Sequence, residues 1–248
     1  MKLLPAFSSG GRQPRPGSAD LATLGFDGWR EAIAQLDDPA LADFARGLAG
    51  QLEGRALLDA VFGNSPFLTR CLLREIALFR DWLLVGPDEA WTRMIDEARA
   101  ATAPDQPRDT IKSVLRQSRR RAALLTGLSD IAHLWSLEQV TARLSEFAEF
   151  ALDRTTGHLM RTAASQGLIT LADRERPLED CGFIVLGMGK LGGRELNYSS
   201  DIDLIVLYDD ERMRPADPSR LQQGLVRLTR DLVQTLEERT ADGYVFRT

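Results

Sequence analysis

Apolar residues recur every three or four positions between residues 20 and 167, a spacing that predicts amphipathic helices. Segments 41–63 and 65–86 each have the pattern of one such helix. Helix-breaking residues divide the region at Gly63, Gly86-Pro87, Pro104 and Gly167. Ser136 and Gln139 have the spacing of a capping box, in which each side chain bonds the other residue's backbone N–H. The sequence therefore predicts an all-helical region up to Gly167.

The pattern changes after Gly167. "FIVLG" and "IDLIVLY" are short apolar runs of strand type, and "YVFRT" begins another. Asp217 and Pro218 predict the start of a helix between the last two runs. Its leucines share one face: Leu221, Leu225, Leu228, Leu232 and Leu236. The prediction is an α+β fold, a helical N-terminal region followed by an incomplete sheet with helices, since the last strand has barely begun at Thr248.

Composition narrows the class of protein. The chain has 248 residues, 44% of them hydrophobic and 27% charged, with a net charge of −5 and two cysteines. This charge argues against broad nucleic-acid binding, no apolar run approaches the length of a membrane span, and two cysteines cannot make a disulfide framework. We therefore expect a cytoplasmic protein without nucleic-acid or membrane partners. Three segments are predicted: a Gly/Pro/Ser-rich disordered extension over 1–19, the helical region over 20–167, and the sheet-containing core over 168–248.

A glycine-rich turn follows the first strand and suggests a dinucleotide site. Gly187, Gly189 and Gly192 have the spacing of that fingerprint, and Asp209 and Asp210 lie where a ribose-binding acid is expected. That fold, however, requires a crossover helix between two parallel strands, which takes about a dozen residues. Only "RELNYSS" separates the turn from the next aspartate. The spacing therefore argues against a dinucleotide-binding oxidoreductase, which remains the weakest alternative.

Asp201 and Asp203 suggest a metal site instead. Successive side chains of a strand point to opposite faces, so these two carboxylates should share a face while Ile202 enters the core. Two adjacent carboxylates favour a cation, and Mg²⁺ (or Mn²⁺) is commonly held by one or two carboxylates together with substrate phosphates. Gly192 and Gly193 lack side chains, so their backbone N–H groups could approach a phosphate. The alternative is a strand that begins with two solvated aspartates.

A long segment, "GMGKLGGRELNYSSDIDLIVLY", resembles the active-site segment of the bacterial glutamine-synthetase adenylyltransferase/adenylyl-removing enzymes. These enzymes belong to the polymerase-β-like nucleotidyltransferases, whose sheet is mixed. The segments "GNSPFLTR" and "DGYVFRT" also resemble the family, so the likeness covers residues 63–248. The family carries the motif twice, and the position of this copy after a helical region implies the N-terminal, adenylyl-removing half.

The resemblance implies metal-dependent phosphorolysis of the adenylyl-tyrosine of glutamine synthetase, which releases ADP. The other half of the family enzyme transfers the adenylyl group from ATP. The implied partners are glutamine synthetase, the PII signalling protein, ATP/ADP and phosphate. The implied metal ligands are Asp201 and Asp203, and the implied phosphate-binding residues are Gly192, Gly193, Ser200, Lys190 and Arg194. For Lys190 and Arg194, a surface position is an equal alternative.

The resemblance also implies a limit. The family's third metal-binding aspartate would follow Thr248, so we expect this chain alone to be inactive or nearly so. A non-catalytic alternative is a helical docking module for glutamine synthetase or PII. The basic run Arg116, Arg119, Arg120 and Arg121 is interpreted as a solvated helix face, with a nucleotide phosphate or an acidic protein partner as the functional alternative.

Overall fold

Helices dominate the chain, and a short hairpin follows them. The computed structural model describes residues 15–104 and 106–248, and within them the predicted α+β class is confirmed. The helical region contains α1 (Ala19–Ala34), α2 (Pro39–Gly50), α3 (Leu52–Phe62), α4 (Pro66–Arg74), α5 (Ile76–Val85), α6 (Pro87–Ala101), α7 (Arg108–Ile131) and α8 (Leu137–Ser165). It is followed by β1 (Phe183–Gly187), the helical turn α9 (Gly189–Gly192), β2 (Leu204–Tyr208) and α10 (Pro218–Glu237).

Two of the expected helices are each divided in two. The segment over 41–63 breaks at Gln51, whose extended backbone ends α2 and begins α3. The segment over 65–86 breaks at Glu75, which lies between α4 and α5. Neither residue is a strong helix breaker, so apolar periodicity alone did not show the breaks.

The predicted helix starts are confirmed by their hydrogen bonds. The Gln139 N–H donates to Ser136 Oγ at 3.3 Å, and the Ser136 N–H donates to Gln139 Oε1 at 2.9 Å, which completes the capping box. Asp217 Oδ1 accepts from the Ser219 N–H at 2.9 Å, with Pro218 at the first helical position. These local signals fix where α8 and α10 begin.

Part of the N-terminal extension lies within the described residues. Residues 1–14 of the predicted disordered segment lie outside them. Gly17 donates its N–H to Asn64 Oδ1 at 3.0 Å, and Ser18 caps α1 by accepting from the Leu21 N–H at 3.2 Å. The helical region therefore begins at Ser18.

The chain forms two compact units. The first comprises described residues up to 95 together with 120–140, and the second comprises 96–119 and 141–248 without the undescribed residue 105. Helices α6, α7 and α8 each contribute residues to both. The predicted domain boundary at Gly167 marks a change in the sequence pattern and does not coincide with the boundary between these two units. That domain boundary stays a prediction.

Aromatic side chains fill the core of the first unit. The rings of Trp29 and Phe79 meet edge to face with centroids 6.2 Å apart, and Trp82 stacks on Phe79 at 6.1 Å. The Trp82 indole N–H donates to Ser129 Oγ at 3.0 Å, so its buried polar atom is satisfied. All three rings are at most 1% exposed.

The second unit contains the hairpin. Strands β1 and β2 pair antiparallel, with Phe183 opposite Tyr208 and Gly187 opposite Leu204. The buried leucine face of α10 belongs to the same unit, and each of the five predicted leucines is at most 8% exposed. The predicted strand over 244–248 is not formed as a regular ladder, because the Val245 and Phe246 N–H groups both donate to Leu236 O at the end of α10.

Within the part of the chain that the structure describes, no helix is both long enough and apolar enough to span a membrane.

Candidate functional site

The glycine-rich turn packs tightly against both strands of the hairpin. Gly189 has φ +51°, a left-handed conformation, and a Cβ there would lie 3.0 Å from Asp203 Oδ2. A Cβ on Gly192 would lie 2.6 Å from Gly187 O, closer than any real contact. Glycine is therefore required at position 189 because the backbone passes close to Asp203, and at position 192 because it passes close to β1.

The backbone N–H groups expected to bind phosphate are used within the turn. The Gly192 N–H donates to Met188 O at 3.1 Å, and the Gly193 N–H donates to Gly189 O at 3.0 Å. The nearest atom to a Cβ on Gly193 would be Gly189 O at 3.5 Å, an ordinary van der Waals distance. Close packing therefore does not require glycine at position 193, whereas the role of Gly192 in the structure is steric.

Arg194 ends the turn in an unusual conformation. Its φ is +56°, and the 3.0 Å bond from its N–H to Leu191 O and the 2.7 Å bond from the Glu195 N–H to Lys190 O form a Schellman motif. Its guanidinium lies 3.4 Å from Glu149 Oε1 on α8. Arg194 therefore already has a counter-ion in the fold.

Lys190 differs from Arg194 in this respect. It lies on the exposed side of the turn, and within residues 15–104 and 106–248 its ammonium group makes no ion pair. Of the two cations that the sequence suggested, Lys190 is the one that a phosphate could recruit without breaking an existing pair.

Asn197 and Ser200 brace the loop that leads to the aspartates. Asn197 Oδ1 accepts from the Ser199 N–H at 3.0 Å and from Ser200 Oγ at 2.9 Å, while Ser200 Oγ accepts from the Asn197 N–H at 3.0 Å. The Ser200 hydroxyl thus holds the loop in shape. A direct phosphate contact by this hydroxyl would have to share it with Asn197.

The two aspartates precede β2 rather than lying inside it. Ile202 is fully buried between them, whereas Asp201 and Asp203 are exposed, so the predicted alternation is present. The Met188 N–H donates to Asp203 O at 2.8 Å, and the Ile202 N–H donates to Arg247 O at 2.9 Å. These backbone bonds hold the segment extended and place both carboxylates on its solvent side.

Sequence reasoning missed Arg247. Its Nη2 lies 2.6 Å from Asp201 Oδ1 and 3.2 Å from Ser199 O. Its position is fixed by its neighbour Phe246, which is 4% exposed and packs on Phe147 with ring centroids 5.9 Å apart. Contacts between residues 46 positions apart leave no periodic signal in a sequence, so only the three-dimensional structure shows this pair.

The dinucleotide interpretation is excluded by the pairing of the strands. That site needs two parallel strands joined by a crossover helix. Here β1 and β2 are antiparallel neighbours, and the connection between them contains only the four-residue turn α9. Gly187, Gly189 and Gly192 match the fingerprint by spacing alone.

The interpretation of the basic run as a solvated face is wrong. Arg116 is 6% exposed, and its Nε donates to Glu238 O at 3.2 Å. Arg119 lies over the Phe246 ring, 5.1 Å from its centroid, and donates to Tyr198 O at 3.2 Å. These arginines hold helix α7 to the C-terminal segment of the second unit.

The other two arginines bind a buried carboxylate in the first unit. Arg120 Nη2 and Arg121 Nε each lie 2.9 Å from a different oxygen of Glu75, which is 6% exposed. The arginines of this run thus contact groups within the fold, among them the carboxylates of Glu75 and Glu238.

The aspartate pair fits a divalent cation that keeps other ligands. Across residues 15–104 and 106–248, no group of three or more His, Cys, Asp or Glu side chains is placed to hold a metal. Two exposed carboxylates match the usual site for Mg²⁺, which retains waters and is completed by substrate phosphates. Asp201 and Asp203, beside the glycine turn and the exposed Lys190, are a donor set of this kind.

An α+β unit with paired carboxylates beside a glycine turn indicates the class of nucleotidyltransferases, in which charge neutralisation and positioning dominate the chemistry. The model of a family described as glutamate-ammonia ligase adenylyltransferase matches residues 56–248. The chain belongs to this family.

Curated relatives carry a more specific name. Proteins of Brucella suis (40% identity, covering 81% of this chain), Bradyrhizobium diazoefficiens (37%, covering 90%) and Rhizobium meliloti (36%, covering 88%) are each named bifunctional glutamine synthetase adenylyltransferase/adenylyl-removing enzyme. The matched regions make up 20%, 22% and 23% of those relatives. The chain thus spans about a fifth of their length.

Proposed function

We propose that this chain carries the catalytic metal-binding pair of an adenylyl-removing site that acts on glutamine synthetase. The observation that supports this most directly is the placement of Asp201 and Asp203 on the solvent side of one extended segment, beside the glycine turn, in a member of the adenylyltransferase family. The cation would be Mg²⁺ or Mn²⁺. When bound, it would neutralise phosphate charge and polarise the phosphorus–oxygen bond that breaks.

The reaction is a phosphorolysis. An oxygen of hydrogen phosphate attacks the phosphorus of the adenylyl group, the bond from that phosphorus to the tyrosine oxygen breaks, and the tyrosine oxygen takes the proton that the hydrogen phosphate carried. The products are ADP and unmodified tyrosine. This step needs little covalent chemistry from the protein, so positioning and charge account for most of the catalysis.

The residues of this chain would share that work. Asp201 and Asp203 hold the cation, and Lys190 offers a positive charge to the attacking phosphate. Gly193 presents no side chain to an approaching phosphate, and Ser200 keeps the aspartate loop in the bracing described above. Arg194, paired with Glu149, orients the turn from the side of α8.

The same geometry supports transfer in the other direction, from ATP to tyrosine, because both reactions exchange an adenylyl group between two oxygens. Adenylyl removal is the proposal for this copy, since its motif follows a long helical region, as in the N-terminal half that the resemblance implies. Control of nitrogen assimilation, regulation by PII and a cytoplasmic location follow from this proposal.

A chimaera tests the function. Residues 56–248 would replace the matched segment of the Brucella suis relative, and phosphate-dependent ADP release from adenylylated glutamine synthetase would be measured without ATP. We expect release by the chimaera and at least a hundredfold loss in the Asp201→Asn/Asp203→Asn variant, as for loss of an essential electrostatic group (roughly 10²–10³).

Asp210→Asn is the matched control, since Asp210 is an exposed aspartate beyond β2 and outside the site. It should release ADP at the unsubstituted rate. Equal release by the double variant and this control would refute the proposal.

A further inference from the structure

The site contains a cation of its own. Arg247 and Asp201 are joined by a charge-assisted hydrogen bond of 2.6 Å, and both side chains remain about half exposed, at 54% and 55%. Within residues 15–104 and 106–248, the Asp203 carboxylate makes no ion pair. The two proposed metal ligands therefore differ, one neutralised by the protein and one not.

The placement of Arg247 is built into the fold. Val245 and Phe246 before it are 0% and 4% exposed, and both donate their N–H groups to Leu236 O. The Arg247 carbonyl accepts from the Ile202 N–H at 2.9 Å, between the two aspartates. A backbone bond and two buried neighbours fix its Cα, which keeps the guanidinium within reach of Asp201.

An arginine and a divalent cation compete for the same carboxylate oxygen. A guanidinium held 2.6 Å from Asp201 Oδ1 covers one coordination position, and its charge repels a second cation at the same carboxylate. The pair is half-exposed, where ion pairs contribute little to stability. Its loss on metal binding would therefore cost the fold little.

We propose that Arg247 is a displaceable counter-ion of the metal site, which holds Asp201 in the metal-free chain and leaves that oxygen when a divalent cation binds Asp201 and Asp203. This inference rests on the proposed function, since it assumes that the two aspartates form the metal site. It assigns to Arg247 the control of metal affinity at this site.

The test is a titration of the whole chain with Mn²⁺, in which electron paramagnetic resonance measures the free ion. We expect Arg247→Ala and Arg247→Gln to bind Mn²⁺ about tenfold more tightly than the unsubstituted chain, because a competing charge is removed. Arg247→Lys, which keeps the charge, should bind much less tightly than either. The gain should shrink at high salt, as expected for a half-exposed pair.

Arg176→Ala is the matched control. Arg176 is an exposed arginine of the same unit that pairs with Asp173 and Glu179, so its loss changes the net charge equally. It should leave Mn²⁺ affinity unchanged. Melting curves of Arg247→Ala and Arg247→Gln show whether each variant is folded. A change in Mn²⁺ affinity can then be distinguished from a loss of folding.

The outcomes distinguish the two proposals. Equal or weaker Mn²⁺ binding by folded Arg247→Ala and Arg247→Gln would overturn the role of Arg247 as a competitor. Mn²⁺ binding that is unchanged in Asp201→Asn/Asp203→Asn would instead overturn the metal site itself, whatever the Arg247 variants do.

Discussion

His133 and Gly167 close two helices with the same hydrogen-bonding motif. After α8, the Leu168 N–H donates to Ala163 O at 2.9 Å and Gly167 has φ +71°. After α7, the Leu134 N–H donates to Ser129 O at 2.8 Å, and His133 occupies the equivalent position with φ +55°. Glycine adopts this conformation without strain, whereas a residue with a Cβ does not.

This difference predicts a stabilising substitution. His133→Gly should raise the free energy of unfolding by about 0.5–1 kcal/mol. The substitution removes the strain of a residue with a Cβ in the left-handed conformation, and the higher conformational entropy of the unfolded glycine chain offsets part of this gain. Urea denaturation measures it. Gly167→Ala at the matched position should lower the same free energy by about 1 kcal/mol. A destabilised His133→Gly variant would show that the histidine side chain makes a stabilising contact.

Gly167 and His133 also show which helix ends can be predicted from the local sequence. The end of α8 at Gly167 could be predicted, since glycine is the usual residue at a helix C-terminus. The end of α7 just before His133 could not, because histidine carries no such signal and the apolar pattern continues to Trp135. The capping box at Ser136 predicted the next helix correctly, since both of its partners lie within four residues.

Glu75 shows how an element boundary depends on distant residues. It separates α4 from α5, and its carboxylate is bound by Arg120 and Arg121 of α7. The break could not be predicted from residues 65–86 alone, because the groups that bind Glu75 lie 45 and 46 positions away. The buried carboxylate also explains two charges of the basic run, those of Arg120 and Arg121.

Removing that carboxylate should be costly. Glu75→Ala removes a buried carboxylate that binds two partly buried guanidinium groups, and we expect the free energy of unfolding to fall by about 3 kcal/mol. Chemical denaturation measures the change. The matched control is Glu89→Ala, which removes an exposed i,i+4 pair with Arg93 and should cost no more than about 0.5 kcal/mol. Similar losses for both variants would contradict the structural role of Glu75.

Helix α8 carries a histidine that should make stability depend on pH. Burial lowers the pKa of His158, and the charges of Arg108 and Arg161 lower it further. The unfolded chain therefore binds a proton at a higher pH than the folded chain, so stability falls as the pH drops below the ordinary histidine value near 6.5.

Comparison of the unsubstituted protein with His158→Gln isolates the contribution of His158 to the pH dependence of stability. Denaturation of the unsubstituted protein and of His158→Gln at several pH values between 7 and 5 should show a steeper loss of stability in the unsubstituted protein. An equal slope for both chains, or a steeper slope for His158→Gln, would contradict the lowered pKa.

At the scale of the whole molecule, the hairpin exposes apolar side chains. Ile184 lies opposite Leu207 and Leu186 opposite Ile205, and each of the four is 42–47% exposed. The other face of the hairpin carries Val185 and Val206, which are less exposed. The alternation of the two strands thus places an apolar face toward solvent in the second unit.

This apolar face should dominate the binding of hydrophobic dyes. Ile184→Thr/Leu207→Thr should reduce fluorescence of anilinonaphthalene sulfonate and change the melting temperature little, since both side chains are already about half exposed. Val185→Thr/Val206→Thr, on the other face, is the control and should lower the melting temperature. Undiminished dye binding by the first variant would place the apolar surface elsewhere.

Sequence patterns predicted much of the fold and the exposure of the two aspartates of the candidate site. The helical region, the leucine face of α10 and the Asp201–Asp203 alternation depend on residues close together in the chain, so periodicity shows them. The antiparallel pairing, the closeness of Gly189 to Asp203 and the Arg247 contact depend on residues far apart. Those required the three-dimensional structure.

The central claim is that Asp201 and Asp203 form the divalent-cation site of this chain. The most direct measurement is paramagnetic broadening of backbone amide NMR signals by substoichiometric Mn²⁺. The account predicts that broadening is strongest at residues 189–193, 199–203 and 247, and that it disappears from them in Asp201→Asn/Asp203→Asn. Broadening that is uniform, centred on other carboxylates or unchanged in the double variant would contradict it.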